Sequence, residues 1–319
     1  MGGLQVVDKN EFHSLDNSCY NVRVHSTERY DTMDRRTFLK KMLGGGLSII
    51  GLSSGTYYYA REMEPSMLNV QTKTISSTKL PKTFNNFKII HFTDTHIGFH
   101  YTLEQFRQLV SKINEYKPDL IVFTGDLVDN PKKYVWNDTI IEQLRSLSAT
   151  QGKFWVYGNH DHGGYGTDVV KRVMDRANFQ LLKNEHTTID LNNDRIVIAG
   201  VDDAILGKPN LTTALKNANP DLFTILLAHE PDFVEETIHF PVDVQLSGHS
   251  HGGQVRFPFI GHLYTPRYAE KYVQGKYTFK NGALTLHVSN GIGTTRLPYR
   301  FLCKPEIHVF TLKSERASG

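Results

Sequence analysis

Cysteine is nearly missing from this chain. Of 319 residues only Cys19 and Cys303 carry a thiol, far apart and without a partner at metal-ligand spacing. That excludes a disulfide framework and a zinc finger, and leaves the compartment open. An excess of charge of one sign is missing too. Lys and Arg number 36 against 33 Asp and Glu, and a net charge of +3 is too mild to argue for nucleic acid. Internal repeats and low-complexity tracts are absent. What remains is 39% hydrophobic and 22% charged, the composition of a globular protein with one large domain or two small ones.

The N-terminus departs from that average. Residues 1–32 are polar and show no helical or strand period. Met33-Asp34-Arg35-Arg36-Thr37-Phe38-Leu39-Lys40-Lys41 follows, then an uncharged segment from Met42 to Ala60. Basic residues before an apolar run describe a targeting segment. Arg-Arg-x-Phe-Leu-Lys resembles the twin-arginine export signal, with Asp34 where that signal usually has Ser or Thr. Residues 33–60 therefore read as a twin-arginine signal or a membrane anchor. About 20 residues span a bilayer; this run is just long enough, weakly apolar, and shows no clear A-x-A site before Arg61. A buried core helix is disfavoured, because each glycine of Gly44-Gly45-Gly46 costs about 1 kcal/mol in a helix interior. The signal implies the twin-arginine translocation machinery as a partner. It also implies a domain on the extracytoplasmic face, membrane-anchored or cell-wall associated. Met33 stands directly before the signal, so residues 1–32 are expected to be a non-native extension from an upstream start. A peptide from them in the native precursor would contradict that.

Residues 61–80 carry Pro65 and a Ser/Thr-rich run, and read as a linker into a first strand. Short apolar runs at 87–93, 120–124 and 154–157 alternate with helical spacing over 102–116, 137–149 and 168–177. That alternation predicts an α/β sheet of parallel character. Beyond it, 187–191 and 195–200 flank Asn-Asn-Asp, a hairpin signal. Further strands are expected at 223–228, 242–246, 277–280, 283–289 and 306–312. One catalytic domain results, over residues 81–315, holding more than one sheet.

Residues that bind metals follow most of these runs: Asp94 and His96, Asp126, Asn159-His160-Asp161, His229, and His249 with His251. Ligand sites in open α/β sheets form beyond the carboxyl ends of strands. The two-residue spacing of Asp94 and His96, repeated by His249 and His251, suits strand ends, where alternate side chains point the same way. Buried carboxylates are costly, and divalent cations remove the penalty. Asp, Asn and His supply oxygen and nitrogen donors suited to Mn, Fe or Zn. A lone Asp-x-His is common, Gly-Asp after a strand is usually a turn, and a single His is more often a satisfied histidine. The ordered set on strand-to-loop boundaries decides for a metal centre.

The blocks Asp-x-His, Gly-Asp, Gly-Asn-His-Asp, His and Gly-His-x-His resemble those of the calcineurin-like metallophosphoesterase superfamily, each intact over about residues 85–255. The resemblance implies a four-layer α/β/β/α sandwich, two mixed sheets flanked by helices, with a site for two divalent metal ions. By matching position, one metal falls to Asp94, His96, Asp126 and His251. The other falls to Asp126, Asn159, His229 and His249, with Asp126 bridging. His160 is implied as the acid or charge stabiliser, and Asp161 as the residue that orients it. The implied reaction is hydrolysis of a phosphate ester, most readily a diester, by a hydroxide bridging the two metals. The motifs at 253–258, 289–293, 298–300 and 305–307 resemble exported YkuE-type bacterial phosphodiesterases. A related group cleaves the lipid UDP-2,3-diacylglucosamine, so a lipid or cell-envelope substrate at the membrane is an alternative. A non-catalytic binding module is a third reading, disfavoured because every block is intact.

Substrate recognition is less legible. Arg256, Arg267, Arg296 and Arg300 suit phosphate oxygens, or form surface ion pairs. Phe257 to Tyr264 is unusually apolar for a loop. It reads as core, as a lipid groove, or as a segment dipping toward a membrane. His162, His262 and His287 receive no role.

Overall fold

The computed structural model describes residues 34–162 and 167–316. Cys19 and the expected extension over 1–32 lie outside the described residues. Contacts divide the chain at Gly51. In the N-terminal unit, helix α1 (Arg35–Tyr58) begins. Asp34 caps it, accepting a hydrogen bond from Thr37 N at 2.7 Å. Asp does here what Ser or Thr does at an N-cap, so its presence beside the arginine pair keeps the local geometry. Among the described residues no helix is long and apolar enough to cross a membrane.

The larger unit begins with Leu52. Residues 61–80 are not a linker. The carboxylate of buried Glu64 accepts from Leu302 N at 2.9 Å, and Asn69–Ser77 forms strand β1. A polar strand holds there because Glu306–Ser314 pairs with it along all nine residues and takes up the backbone groups on that side, whatever its side chains face.

β2 (Lys88–Phe92), β3 (Leu120–Phe123), β4 (Lys153–Trp155) and β5 (Gln180–Leu181) run parallel. A second sheet holds β6 (Glu185–Leu191), β7 (Asp194–Gly200), β8 (Thr224–Leu227) and β9 (Val244–Ser247). The small hairpin β10 (Arg256–Phe257) and β11 (Gly261–His262) stands apart. β12 (Gly275–Phe279) and β13 (Leu284–Val288) complete the second sheet, and β14 (Glu306–Ser314) returns to the first. The orders are β1-β14-β2-β3-β4-β5 and β12-β13-β9-β8-β7-β6, each mixed in direction. The β6–β7 turn is Asn192-Asn193, both left-handed at φ 50° and 73°, the conformation a two-residue hairpin turn needs.

Strand pleating sorts the side chains into layers. Ile121, Phe123 and Trp155 face helices α2 (Leu103–Glu115) and α3 (Asp138–Ser146). Leu120, Val122, Phe154 and Val156 face the other way, against Ile196, Ile198, Ile225, Leu227 and Leu246 of the second sheet. The one-turn α4 (Asn159–His162) follows β4, and α5 (Thr167–Arg176) joins the helical layer. Val197, Ala199 and Leu226 pack outward on the short helices α6 (Leu211–Ala214) and α7 (Val234–Thr237). The expected α/β/β/α sandwich is the observed one.

Candidate metal centre

All seven expected ligands follow strand ends at one edge of the sandwich. Asp94 and His96 follow β2, Asp126 follows β3, and Asn159 opens α4 after β4. His229 follows β8, and His249 and His251 follow β9. The chain must turn sharply there. Asp94, His96, Asp126, His249 and His251 all sit at positive φ, between 42° and 65°. Such backbone costs on the order of 1–3 kcal/mol per non-glycine residue and gathers at functional sites. Gly158 is required by close approach: a β-carbon there would collide with the Asp126 carboxylate and come 2.7 Å from His229 Cε1.

Two trios of buried side chains converge. Asp94, His96 and His251 form one, Asp126, His229 and His249 the other, each with ligand atoms within 4.8 Å of one another. His96 Nε2 lies 3.1 Å from His251 Nε2, and His229 Nε2 lies 3.2 Å from His249 Nδ1. Asp126 Oδ2 stands between them, 3.5 Å from His96 Nε2 and 3.3 Å from His229 Nε2. In the second pair the outer nitrogens are tied to carbonyls. His229 Nδ1 pairs with Thr124 O at 2.5 Å, and His249 Nε2 with Arg267 O at 2.9 Å. A donor N–H at those positions leaves the lone pair on the inner nitrogen, the tautomer a metal takes. Asn159 Oδ1 is buried without a hydrogen-bond partner among the described residues. A buried acceptor left unsatisfied is costly unless something binds it. Donor chemistry, tautomers and that orphaned oxygen all fit divalent cations.

Electrostatics agree. Burial works against the Asp126 carboxylate, yet His229, His160 and His96 hold it well below the usual carboxylate range. Burial, then the neighbouring His229, pushes His249 down to about 3. Burial and then His96 push His251 well below its ordinary value. Both rings are neutral donors at physiological pH. For His160 burial opposes the charged form, but Asp126 and the Asp129 carbonyl prevail and raise it.

Asp161 does not orient His160. Its buried carboxylate accepts from Asp126 N at 2.6 Å, Leu127 N at 3.0 Å and Gly158 N at 3.1 Å, which locks two ligand loops together. Burial, then Asp126, pushes its carboxyl up to about 7, against three amides that favour the anion. Asp129, which the motifs passed over, contacts the His160 ring instead. Its carbonyl pairs with His160 Nδ1 at 2.6 Å, and its Oδ1 lies 3.5 Å from His96 Nδ1. The only signal in the sequence is its place three residues after Asp126.

The arginines separate. Arg300 is fully buried and holds the carbonyls of Asn290, Gly293 and Cys303, so it faces no substrate. Arg256 donates to Gly252 O at 2.8 Å. Arg267 packs its guanidinium 5.0 Å from the Tyr268 ring. Arg296 lines a cavity of about 430 Å³ shared with Asp126, Asn159, His160, His249 and His251. Val255, Leu263, Tyr264, Pro266 and Leu297 give it an apolar side, beside Ser250, Gln254 and Thr295. The 257–264 segment is not core, since Phe259 and Ile260 are exposed. Of the spare histidines, His162 pairs with Asp202 at 2.7 Å.

Residues 87–253 match the family model described as calcineurin-like phosphoesterase, and the chain belongs to that family. It is 47% identical to the uncharacterized metallophosphoesterase YkuE of Bacillus subtilis, over 88% of this chain and 98% of that protein. An uncharacterized metallophosphoesterase of Aquifex aeolicus is 35% identical over 79% of this chain and 95% of its own length. More distantly, the UDP-2,3-diacylglucosamine pyrophosphatase LpxG of Chlamydia trachomatis is 28% identical, over 79% of this chain and 91% of that protein.

Proposed function

We propose that the protein is a metal-dependent phosphoesterase that hydrolyses a phosphodiester at a centre for two divalent ions, Mn, Fe or Zn. The observation that carries this is the Asp126 carboxylate set between two converging histidine pairs. Asp94, His96, Asp126 and His251 would hold one ion, and Asp126, Asn159, His229 and His249 the other. Such ions, when bound, lower the pKa of water and neutralise charge on phosphoryl oxygens. The chain's own groups do the rest. Asp129 fixes the His160 ring through Nδ1 and leaves Nε2 to the cavity. His160, whose proton Asp126 and the Asp129 carbonyl hold more tightly against the effect of burial, donates it to the leaving oxygen. Arg296 at the cavity wall offers its fork to the esterified phosphate.

The apolar wall favours an amphiphilic ester over a free nucleotide. It also supports a second reading, pyrophosphate hydrolysis of a nucleotide-sugar lipid of the kind that names the chlamydial relative. Arg35-Arg36 at the head of the Asp34-capped helix supports export by the twin-arginine route.

The test is elemental analysis of the purified chain, together with assays of bis-p-nitrophenyl phosphate and p-nitrophenyl phosphate with Mn and Zn. Two ions per chain with diester cleavage is the expected result. Monoester cleavage alone would make it a phosphatase. No metal and no turnover would sink the enzyme reading in favour of a binding module.

A further inference from the structure

The β10–β11 hairpin has an exposed apolar tip. Phe259 is fully exposed, Ile260 is 73% exposed and Leu263 63%. Single exposed apolar residues are ordinary, but a contiguous group marks a contact surface. This group is contiguous with the 295–302 loop. Arg256 N bonds Phe301 O at 2.9 Å, the Phe257 and Phe301 rings lie 5.8 Å apart, and Gln254 Nε2 bonds Leu297 O at 2.9 Å. Leu297 and Leu302 of that loop are exposed as well.

Charge within these two segments has one sign. No Asp or Glu occurs between Gln254 and Ala269 or between Asn290 and Pro305, whereas Arg256, Arg267, Arg296 and Lys304 fall there. Arg267, Arg296 and Lys304 are exposed. Arg296 packs 4.8 Å from the Tyr264 ring at the cavity wall. An apolar tip on segments whose only charges are cationic, with Arg296 against the Tyr264 ring, suits the headgroup region of an anionic bilayer.

The path of the chain points to the same place. Arg300 N bonds Ala60 O at 2.8 Å, and Glu64 accepts from Leu302 N. The Tyr57 ring lies 5.7 Å from Tyr299, and Tyr59 lies 6.2 Å from Phe301. The chain therefore enters the domain, over residues 57–64, against the loop that supports the hairpin.

We infer that the hairpin tip, Pro258 to Ile260, with Leu263, Leu297 and Leu302 beside it, docks the domain on an anionic lipid bilayer. Leu263, Tyr264, Arg296 and Leu297 also line the cavity of the metal centre, so docking sets the mouth of that cavity at the lipid surface. This goes beyond the phosphoesterase reading and does not depend on it, because lipid binding is measured without metal and without turnover.

The experiment uses the full chain with vesicles of phosphatidylcholine, alone or mixed with phosphatidylglycerol. In Phe259→Trp, with wild type as the background for Trp136 and Trp155, emission should shift to the blue on anionic vesicles. Brominated lipid should quench the introduced indole. Partitioning should be roughly tenfold stronger on anionic than on neutral vesicles and weaken with salt. Phe259→Ser with Ile260→Ser should weaken it at least about tenfold, since each ring or branched chain loses its burial in lipid. The exposed sites leave the fold and cleavage of a soluble diester unchanged. Equal partitioning of wild type and double variant, with no quenching at position 259, would overturn the inference and assign any binding to another segment. A concentration-dependent dimer that the double variant abolishes, without lipid contact, would overturn it in favour of a second copy of the chain.

Discussion

Asp129 makes the contact with His160 that the motifs assign to Asp161, and Asp161 instead ties two ligand loops together. Asp161→Ala would leave three buried amides without an acceptor, at a cost of about 3 kcal/mol, since a buried donor left unsatisfied costs about 1–3 kcal/mol and such costs are not additive. The midpoint of urea unfolding should fall accordingly, and metal content with it. His160→Ala should behave differently. It removes a proton donor and not a ligand, so both ions stay while kcat drops about 10²–10⁴-fold. Stoichiometric metal with full activity in that variant would show that His160 moves no proton. Asp126→Ala should lose metal as well as turnover, because one carboxylate faces both histidine pairs. Elemental analysis separates these variants before any rate is measured.

At the scale of elements, the sequence was legible where the signal is local. Thr102 caps α2 and Gln105 returns the bond in a capping box, where the helical spacing predicted a start. Thr102→Ala should lower stability by about 1 kcal/mol without touching activity, as read by thermal unfolding. The ligand blocks were legible for the same reason, each lying within a few residues of a strand end. β1 was not. Its nine residues alternate poorly and are mostly polar, and its register with β14 pairs Asn69 with Glu306. Nothing near residue 70 in the chain announces a partner so far away. The same holds for Asp129, whose contact with His160 depends on how two loops pack, and for Arg300, whose burial depends on a loop closing over it. The apolar hairpin tip read equally as core or surface, because composition carries no direction.

Across the whole molecule, three histidines lie buried between the sheets away from the metal ligands: His91, His287 and His308. Burial, then Lys73, pushes His287 down to about 3, and burial also lowers the other two. A ring that refuses a proton when folded takes one when unfolded. Stability from this source is therefore intact above about pH 6.5 and is lost as pH falls toward 3. Each ring steepens the decline by up to about 1.4 kcal/mol per pH unit. His287→Leu should flatten the curve of unfolding free energy against pH by one proton's worth. An unchanged slope would mean that this ring is protonated in the fold.

The parallel pairing of β1 with β14 has a consequence for when the protein comes into being. The strand that opens the domain has no neighbour on its paired side until residue 314 has left the ribosome. The nascent chain must carry an unzipped sheet edge through most of its synthesis, exposed to chaperones and to its own kind. A translocase that accepts only finished cargo would find nothing to carry until the last strand had closed on the first.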